Sequence, residues 1–433
     1  MNYNYIRKDE IILINFIITA LKVVILLGFL IFIHEGGHFI VAKLCKIKVK
    51  EFAIGFGPTI WKKQGKETKY ALRLIPLGGF VNLEGEDERS EEEGSFSEAS
   101  ILKRMAIIVA GGLVNIIFGL AVYFILMTSI GNNTSLIVKE AIPEYAAEQN
   151  GVVTEDEIIK INNKKVNVKS DIDKILKNSN GEELKITIER NGEEKDIYLT
   201  PTKKEYKSTG IYLKTTSEGA ETKIVTVEKD SSAEKAGIKA NDKILKINNI
   251  EVSNTEDIVN TINSEEDTEK LLFTIERAGE ILEIEIVPDI LYSYYIGVQF
   301  KMAQDNLSTN MYYAVFETRD FIVSIVDNLK MLFTGNVGID QMMGPVGISE
   351  AVANTKAVEE FVYLMALISL SLGVTNLLPF PALDGGKFVL LLLEAIRGKK
   401  LKQQTEINLQ LIGFALLMIL ALYITYNDIL RIF

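Results

Sequence analysis

Four stretches of the chain are apolar for long enough to cross a bilayer. Residues 11–33, IILINFIITALKVVILLGFLIFI, carry one charge, Lys22. At 1.5 Å per residue such a run reaches about 35 Å, enough for a span. Residues 105–130 carry no charge, residues 361–379 follow Glu359 and Glu360 and continue after a proline-containing break, and residues 407–426 form the fourth run. Arg7 and Lys8 would suit the start of a signal peptide, but the first run is too long and no small-x-small cleavage site closes it. Residues 310–333 are amphipathic. Glu317, Arg319, Asp320 and Asp327 argue against a fifth span there and for a helix along the membrane surface.

Between these runs the period changes from helical to alternating. Leu184, Ile186 and Ile188 alternate with polar residues, as do Leu282, Ile284 and Ile286, the mark of half-buried strands. The alternation belongs to a repeat. AAEQNGVVTEDEIIKINN at 146–163 matches SAEKAGIKANDKILKINN at 232–249, and ELKITIERNGE at 183–193 matches KLLFTIERAGE at 270–280. Offsets of 86 and 87 mean two copies of one small domain, each with a short helix ending at Gly151 or Gly237. The S/A-A-E-x-x-G turn, the D-x-I-h-K-I-N-N strand (h is Ile or Leu) and the strand ending in Arg-x-Gly resemble the circularly permuted bacterial PDZ domain. That resemblance implies sheet-edge capture of extended peptides. Thr209-Gly210-Ile211 and Ile296-Gly297-Val298 resemble its carboxylate-binding loops, which makes Gly210 and Gly297 candidate substrate contacts. A pair that only spaces or shields remains the other reading.

Residues 52–83 alternate around glycine-rich turns and predict a short hairpin or sheet. Residues 84–93, EGEDERSEEE, predict a solvated loop without a binding role.

Composition narrows the function. The 433 residues sum to a net charge of −11, which argues against nucleic acid as a partner. One cysteine, Cys45, excludes an intrachain disulfide and a cysteine-based zinc site. The basic residues cluster at Lys43, Lys46, Lys48 and Lys50, at Lys103 and Arg104, and at Arg397, Lys399, Lys400 and Lys402. With four spans all three clusters fall on one side, which the positive-inside rule makes the cytosol. Both termini and residues 131–305 then face outward.

The chain has two histidines, and they form His34-Glu35-Gly36-Gly37-His38. On a helix, residues four apart share a face, so both imidazoles reach one metal and Glu35 stands beside the first as a base for attacking water. Two histidines would fall four apart by chance in roughly 1 in 200 placements. A catalytic zinc needs a third protein ligand. The candidate is Asp384 in Asn376-Leu377-Leu378-Pro379-Phe380-Pro381-Ala382-Leu383-Asp384-Gly385-Gly386, where prolines break the third span. An N-cap for a helix over Phe388–Ile396 is the alternative role for Asp384. Two histidines and a carboxylate suit zinc and also non-haem iron, with zinc favoured on an H-E-x-x-H helix.

Taken together, H-E-G-G-H, G-F-G-P at 55–58, I-P-L-G-G-F-V at 75–81, Gly111-x-x-x-Asn115, the two repeats, G-P-V-G-I at 344–348 and N-x-x-P-x-P-x-L-D-G at 376–385 resemble the site-2 proteases. These are intramembrane zinc metalloproteases, and the tandem repeats match the bacterial RseP type. The resemblance implies one Zn2+ per chain held by His34, His38 and Asp384, with Glu35 as the base and Asn376 and Asn115 near the substrate. It implies that residues 52–83 dip into the membrane and align an unwound substrate. Gly36 and Gly112 depart from the commoner residues of the family.

The expected architecture is a multi-pass α-helical membrane protein with two inserted extracytoplasmic PDZ-like α/β domains. Residues 1–130 and 357–433 form the membrane core, 131–218 and 219–305 the two domains, and 306–356 an amphipathic juxtamembrane segment. The expected function is cleavage, in a bacterial cytoplasmic membrane, of single-pass membrane proteins already trimmed by another protease, such as an anti-sigma factor or a signal-peptide remnant. A non-catalytic membrane adaptor presenting PDZ modules is the competing reading. A metal transporter would need polar residues along several spans, and the second and fourth runs are nearly featureless.

Overall fold

A computed structural model describes every residue except 1, 87, 89, 217–218, 265–269, 335–341, 356 and 433; at 2–13, 15, 76–77, 214–216, 219–221, 332–333 and 431–432 only the backbone is described. The chain forms two compact units. One comprises Met1–Leu126 and Met342–Phe433, the other Met127–Gln341.

The first unit opens with α1 (Asn2–Leu44), whose span Phe16–Leu44 continues two turns beyond the H-E-x-x-H residues. Then come β1 (Val49–Gln64), β2 (Lys69–Leu83) and α2 (Ile101–Ile130). The expected hairpin or sheet is a two-stranded, folded-back sheet. Phe52 is matched by both Val81 and Tyr70, and Ala53 by both Phe80 and Ala71, while Trp61 faces Leu72. Residues 51–54 therefore have partners on both sides. Alternation predicts a strand but not that one strand will bend back to cover its own neighbour's other edge. The sheet lies on α1, with the Phe52 ring 6.0 Å from Phe32 and 5.2 Å from Phe39, either side of the histidines.

The second unit contains β3 (Thr134–Ala141), α3 (Ala146–Gln149), β4 (Glu157–Ile161), β5 (Lys164–Lys165), α4 (Lys169–Asn178), β6 (Leu184–Arg190), β7 (Glu193–Leu199) and β8 (Thr202–Ser208). It continues with β9 (Ile211–Thr216), β10 (Gly219–Val227), α5 (Ser232–Ala236), β11 (Lys243–Ile247), β12 (Ile250–Glu251), α6 (Thr255–Ser264), β13 (Leu271–Arg277) and β14 (Glu280–Ile286). β15 (Asp289–Tyr295), β16 (Val298–Met302) and α7 (Leu307–Phe333) complete it. One sheet has the order β16-β3-β4-β6-β7, the other β14-β13-β11-β10-β9, and β8 pairs with β15 as a ribbon. The strand pairing corrects the boundaries 131–218 and 219–305. β9 belongs to the second sheet and β16 to the first, so the second domain is nested within the first. A repeat comparison cannot show this, because the flanking strands lie outside the matched segments.

Both copies use the repeated polar residues alike. Arg190 Nε and a terminal nitrogen donate to Asp156 at 2.6 and 2.7 Å, and Arg277 binds Asp242 at 2.7 and 2.7 Å. The same arginines donate to the carbonyls of Gly151 and Gly237. Each carboxylate is buried, so bidentate pairing offsets the cost of removing it from water. Ile158, Ile161, Ile186 and Ile188 fill one core, and Ile244, Ile247, Phe273 and Ile275 the other. Burying each such side chain contributes about 1.5–3 kcal/mol. The predicted amphipathic segment is α7, tied to α4 by Arg319–Asp171 and Lys174–Asp320 pairs, each at 2.7 Å.

The chain returns to the first unit through α8 (Pro345–Asn354), α9 (Val358–Asn376), α10 (Asp384–Arg397) and α11 (Gln403–Ile432). Among the described residues, four helices are long and apolar enough to cross a membrane: those of Phe16–Leu44, Ile101–Ile130, Val358–Asn376 and Gln403–Leu430. The segment 306–356 is not one juxtamembrane element. α8 packs in the membrane unit, where Val352 and Ile348 meet Leu26 and Leu30 of α1. Gly347 N–H donates to Asp428 of α11 at 2.8 Å. Among apolar helices, close approach at small residues and interhelical hydrogen bonds supply the contact energy.

Candidate metal centre

His34 and His38 project from one face of α1, their ring centroids 4.9 Å apart and their Nε2 atoms 3.2 Å apart. Asp384, in the first turn of α10, brings Oδ2 to 3.2 Å from His34 Nε2 and 3.3 Å from His38 Nε2. Donors held at 2.0–2.2 Å around a tetrahedral ion sit about 3.3–3.5 Å apart, so the three atoms have the spacing of ligands sharing one cation. His38 Nδ1 lies 2.8 Å from the carbonyl oxygen of Ile107 on α2 and donates to it. His38 Nε2 then carries a lone pair, pointed at a carboxylate oxygen and a second imidazole. That arrangement can present the lone pair to a cation shared with the other two donors. Asp384 is not the helix cap: Leu383 holds that position, and no side chain caps the helix.

Glycine makes the site possible at two helix faces. A β-carbon on Gly37 would fall 2.7 Å from the Ala110 carbonyl oxygen, and one on Gly111 2.3 Å from His38 Nε2 and 2.8 Å from His34 Nε2. The cost of paired glycines in α1 is thus offset, at Gly37, by contact with α2, whereas Gly36 has nothing within 4 Å. Glu35 lies beside the sheet, where a β-carbon on Gly79 would approach its Cγ to 3.1 Å. A cavity of about 200 Å3 is lined by His34, Glu35, His38, Gly79, Asp384 and Lys387.

The acidic loop is not merely solvated. Glu86 pairs with Lys387 of α10 at 2.9 Å and lines this cavity, while Glu84 pairs with Lys50 at 2.8 Å. Behind it, Arg104 of α2 and Glu394 of α10 form a buried two-pronged ion pair. The fourth span also has a polar contact, with Gln410 Oε1 accepting the Ala382 N–H at 2.7 Å, two residues before Asp384. Ala382 has φ +75°, a strained conformation for a residue with a β-carbon. The available signals were Arg104 at the edge of the second apolar run, Glu394 in the apolar stretch 388–396 and Gln410 inside the fourth run.

The remaining candidates divide. Asn115 lies one turn beyond Gly111, and both polar atoms of its buried side chain lack a hydrogen-bond partner. Its backbone carbonyl accepts from Ser369 Oγ at 2.9 Å. Asn376 ends α9, and neither asparagine lines the 200 Å3 cavity. Gly210 and Gly297 have φ +74° and +78°, and β-carbons there would lie 2.3 Å from Ser231 and 2.0 Å from Tyr145. Packing alone requires glycine at both positions.

Two histidines, a carboxylate and an adjacent glutamate, set on helices of membrane length, define the class of a membrane-embedded metallohydrolase. Residues 22–420 match the model of Peptidase family M50. The chain belongs to that family and is a zinc metalloprotease. It is 30% identical to the Regulator of sigma E protease of Haemophilus influenzae, covering 94% of this chain and 98% of that one. It is 30% identical to the Zinc metalloprotease RasP of Oceanobacillus iheyensis, covering 96% and 99%. It is similar, at 18% identity and a TM-score of 0.18, to the HtrA3 PDZ domain bound to a phage-derived ligand, covering 21% of this chain and 93% of that one. Family membership overturns the adaptor reading.

Proposed function

We propose that His34, His38 and Asp384 hold one zinc ion per chain and that Glu35 serves hydrolysis of a peptide bond in a membrane-embedded, single-pass substrate. The convergence of three donor atoms within 4.8 Å carries this reading. A zinc ion held by these three residues would supply Lewis acidity toward the scissile carbonyl and lower the pKa of water. Glu35 accepts the proton of the attacking water and returns it to the leaving amine. Ile107 holds the His38 ring in one tautomer. The β1–β2 sheet beside Glu35 offers backbone hydrogen bonds to a substrate segment that has unwound, since a helical segment keeps its amides engaged.

Substrates of this kind include a remnant signal peptide or an anti-sigma factor, the latter in keeping with the name of the Haemophilus influenzae relative, a regulator of sigma E. The substrate arrives already trimmed by another protease. The basic residues support a cytosolic location for the metal-site end of the helices and an extracytoplasmic one for Met127–Gln341. Lys103 reaches the Cys45 carbonyl and Lys400 the Ser97 carbonyl, so the clusters share one end of the membrane unit.

The test combines purified protein, zinc analysis and a single-pass substrate. Wild type binds one zinc and cleaves, and Glu35→Gln binds zinc without cleaving. Equal cleavage by the variant overturns the assignment of Glu35. In a Cys45-free chain, an impermeant thiol reagent added to intact cells labels Lys235→Cys and spares Glu91→Cys; the reverse pattern overturns the orientation.

A further inference from the structure

A second cavity, about 550 Å3, adjoins the catalytic one. Glu86, Phe96, Ile108 and Lys387 line both. Leu391 of α10 and Ile407, Leu411 and Phe414 of α11 supply its apolar wall. Arg104, Glu394, Lys400, Gln403, Glu406 and Gln410 supply much of the rest of its lining, and Arg104 Nε is buried without a hydrogen-bond partner among the described residues.

We propose that this cavity is a specificity pocket, receiving a large apolar side chain of the substrate residue next to the scissile bond. The inference deepens the proteolytic reading above and rests on it. Charge decides against an anionic occupant. Arg104 is paired with Glu394, Lys387 with Glu86 and Lys400 with Glu98, while Glu406 adds a further carboxylate. With most of the lining charges paired, the apolar wall supplied by α10 and α11 suits a neutral side chain. The physical demand is specific to this reaction. Unwinding a membrane helix frees backbone for the sheet but also swings apolar side chains away from lipid. A pocket opening off the catalytic cavity gives one of them a new apolar surround. Its volume lies within the range of pockets that hold small molecules and exceeds that of a single aromatic side chain.

The experiment uses full-length protein with zinc and a single-pass substrate carrying Ala, Leu or Phe at each position beside the scissile bond. Wild type should prefer Leu or Phe over Ala at one of these positions by about tenfold or more in kcat/KM. Ile407→Trp and Leu411→Trp, which fill the pocket from α11, should reduce that preference to about threefold or less while zinc content stays at the wild-type value. An unchanged preference in both variants overturns the proposal. Binding is read separately by placing a benzophenone amino acid at position 407 in the Glu35→Gln background. Crosslinking to the substrate residue beside the bond, absent from position 412, supports the pocket. Crosslinking to phospholipid alone overturns it. If wild type cleaves none of the substrates yet the crosslink forms, the pocket stands and the proteolytic reading fails.

Discussion

Gly111 faces His38 so closely that a β-carbon at position 111 would fall 2.3 Å from its Nε2 and 2.8 Å from His34 Nε2. Gly111→Ala should therefore weaken zinc binding by about tenfold or more, or ~1.4 kcal/mol. Chelator competition measures the affinity, and circular dichroism checks that helix content is unchanged. Wild-type affinity in this variant would mean that α2 yields at the contact.

Glu35 is adjacent to the donor set without belonging to it. Glu35→Gln keeps the shape and removes the base, so kcat should fall about 10²-fold or more. Zinc stoichiometry should match wild type. Loss of metal with activity would instead make Glu35 a ligand.

The Arg104–Glu394 pair joins the start of α2, which holds Ile107, to α10, which begins with Asp384. Removing one partner leaves a buried charge, so Glu394→Ala should destabilise the chain by about 3–5 kcal/mol. Replacing both residues with Leu should restore much of that loss. Thermal unfolding in detergent, compared across the single and double variants, separates the two outcomes.

Acid acts on the second unit through Asp156. Burial raises the pKa of this carboxyl, but hydrogen bonds from Arg190 and the Val153 N–H outweigh burial and hold it below the ordinary range. A depressed folded-state pKa contributes stability above the unfolded value of about 3.9, and that contribution is lost as pH falls through the folded value. Amide exchange in β4 and β6, taken relative to the intrinsic rate at each pH, should accelerate below about pH 4 in wild type. In Asp156→Asn it should already be fast at neutral pH and less sensitive to acid.

Nesting of the domains predicts how fragments behave. Residues 131–218 expressed alone lack β16, which pairs with β3, and lack Ile296 from the first core. That fragment should not unfold cooperatively, whereas residues 131–305 should. Urea titration followed by fluorescence distinguishes them. A cooperative transition in the short fragment would mean that β16 is dispensable.

Much of the architecture was legible because it is local. Apolar runs of bilayer length, the four-residue spacing of His34 and His38, and the Asp and Arg of each repeat are properties of consecutive residues, and helix and strand geometry fix which of them share a face. Asp384 was legible as an isolated carboxylate at a proline break, but its 3.2 and 3.3 Å approach to the imidazoles depends on how α10 meets α1. Tertiary structure alone decided that β16 returns to the first sheet, that β2 flanks β1 on both sides, that α8 enters the membrane unit and that Gly111 walls the metal site. Each is a choice of partner between segments far apart in the chain. Backbone periodicity limits the faces a segment can offer but leaves open which distant surface covers them; that is settled by the packing in which the most apolar area is buried and the fewest polar groups are left without partners.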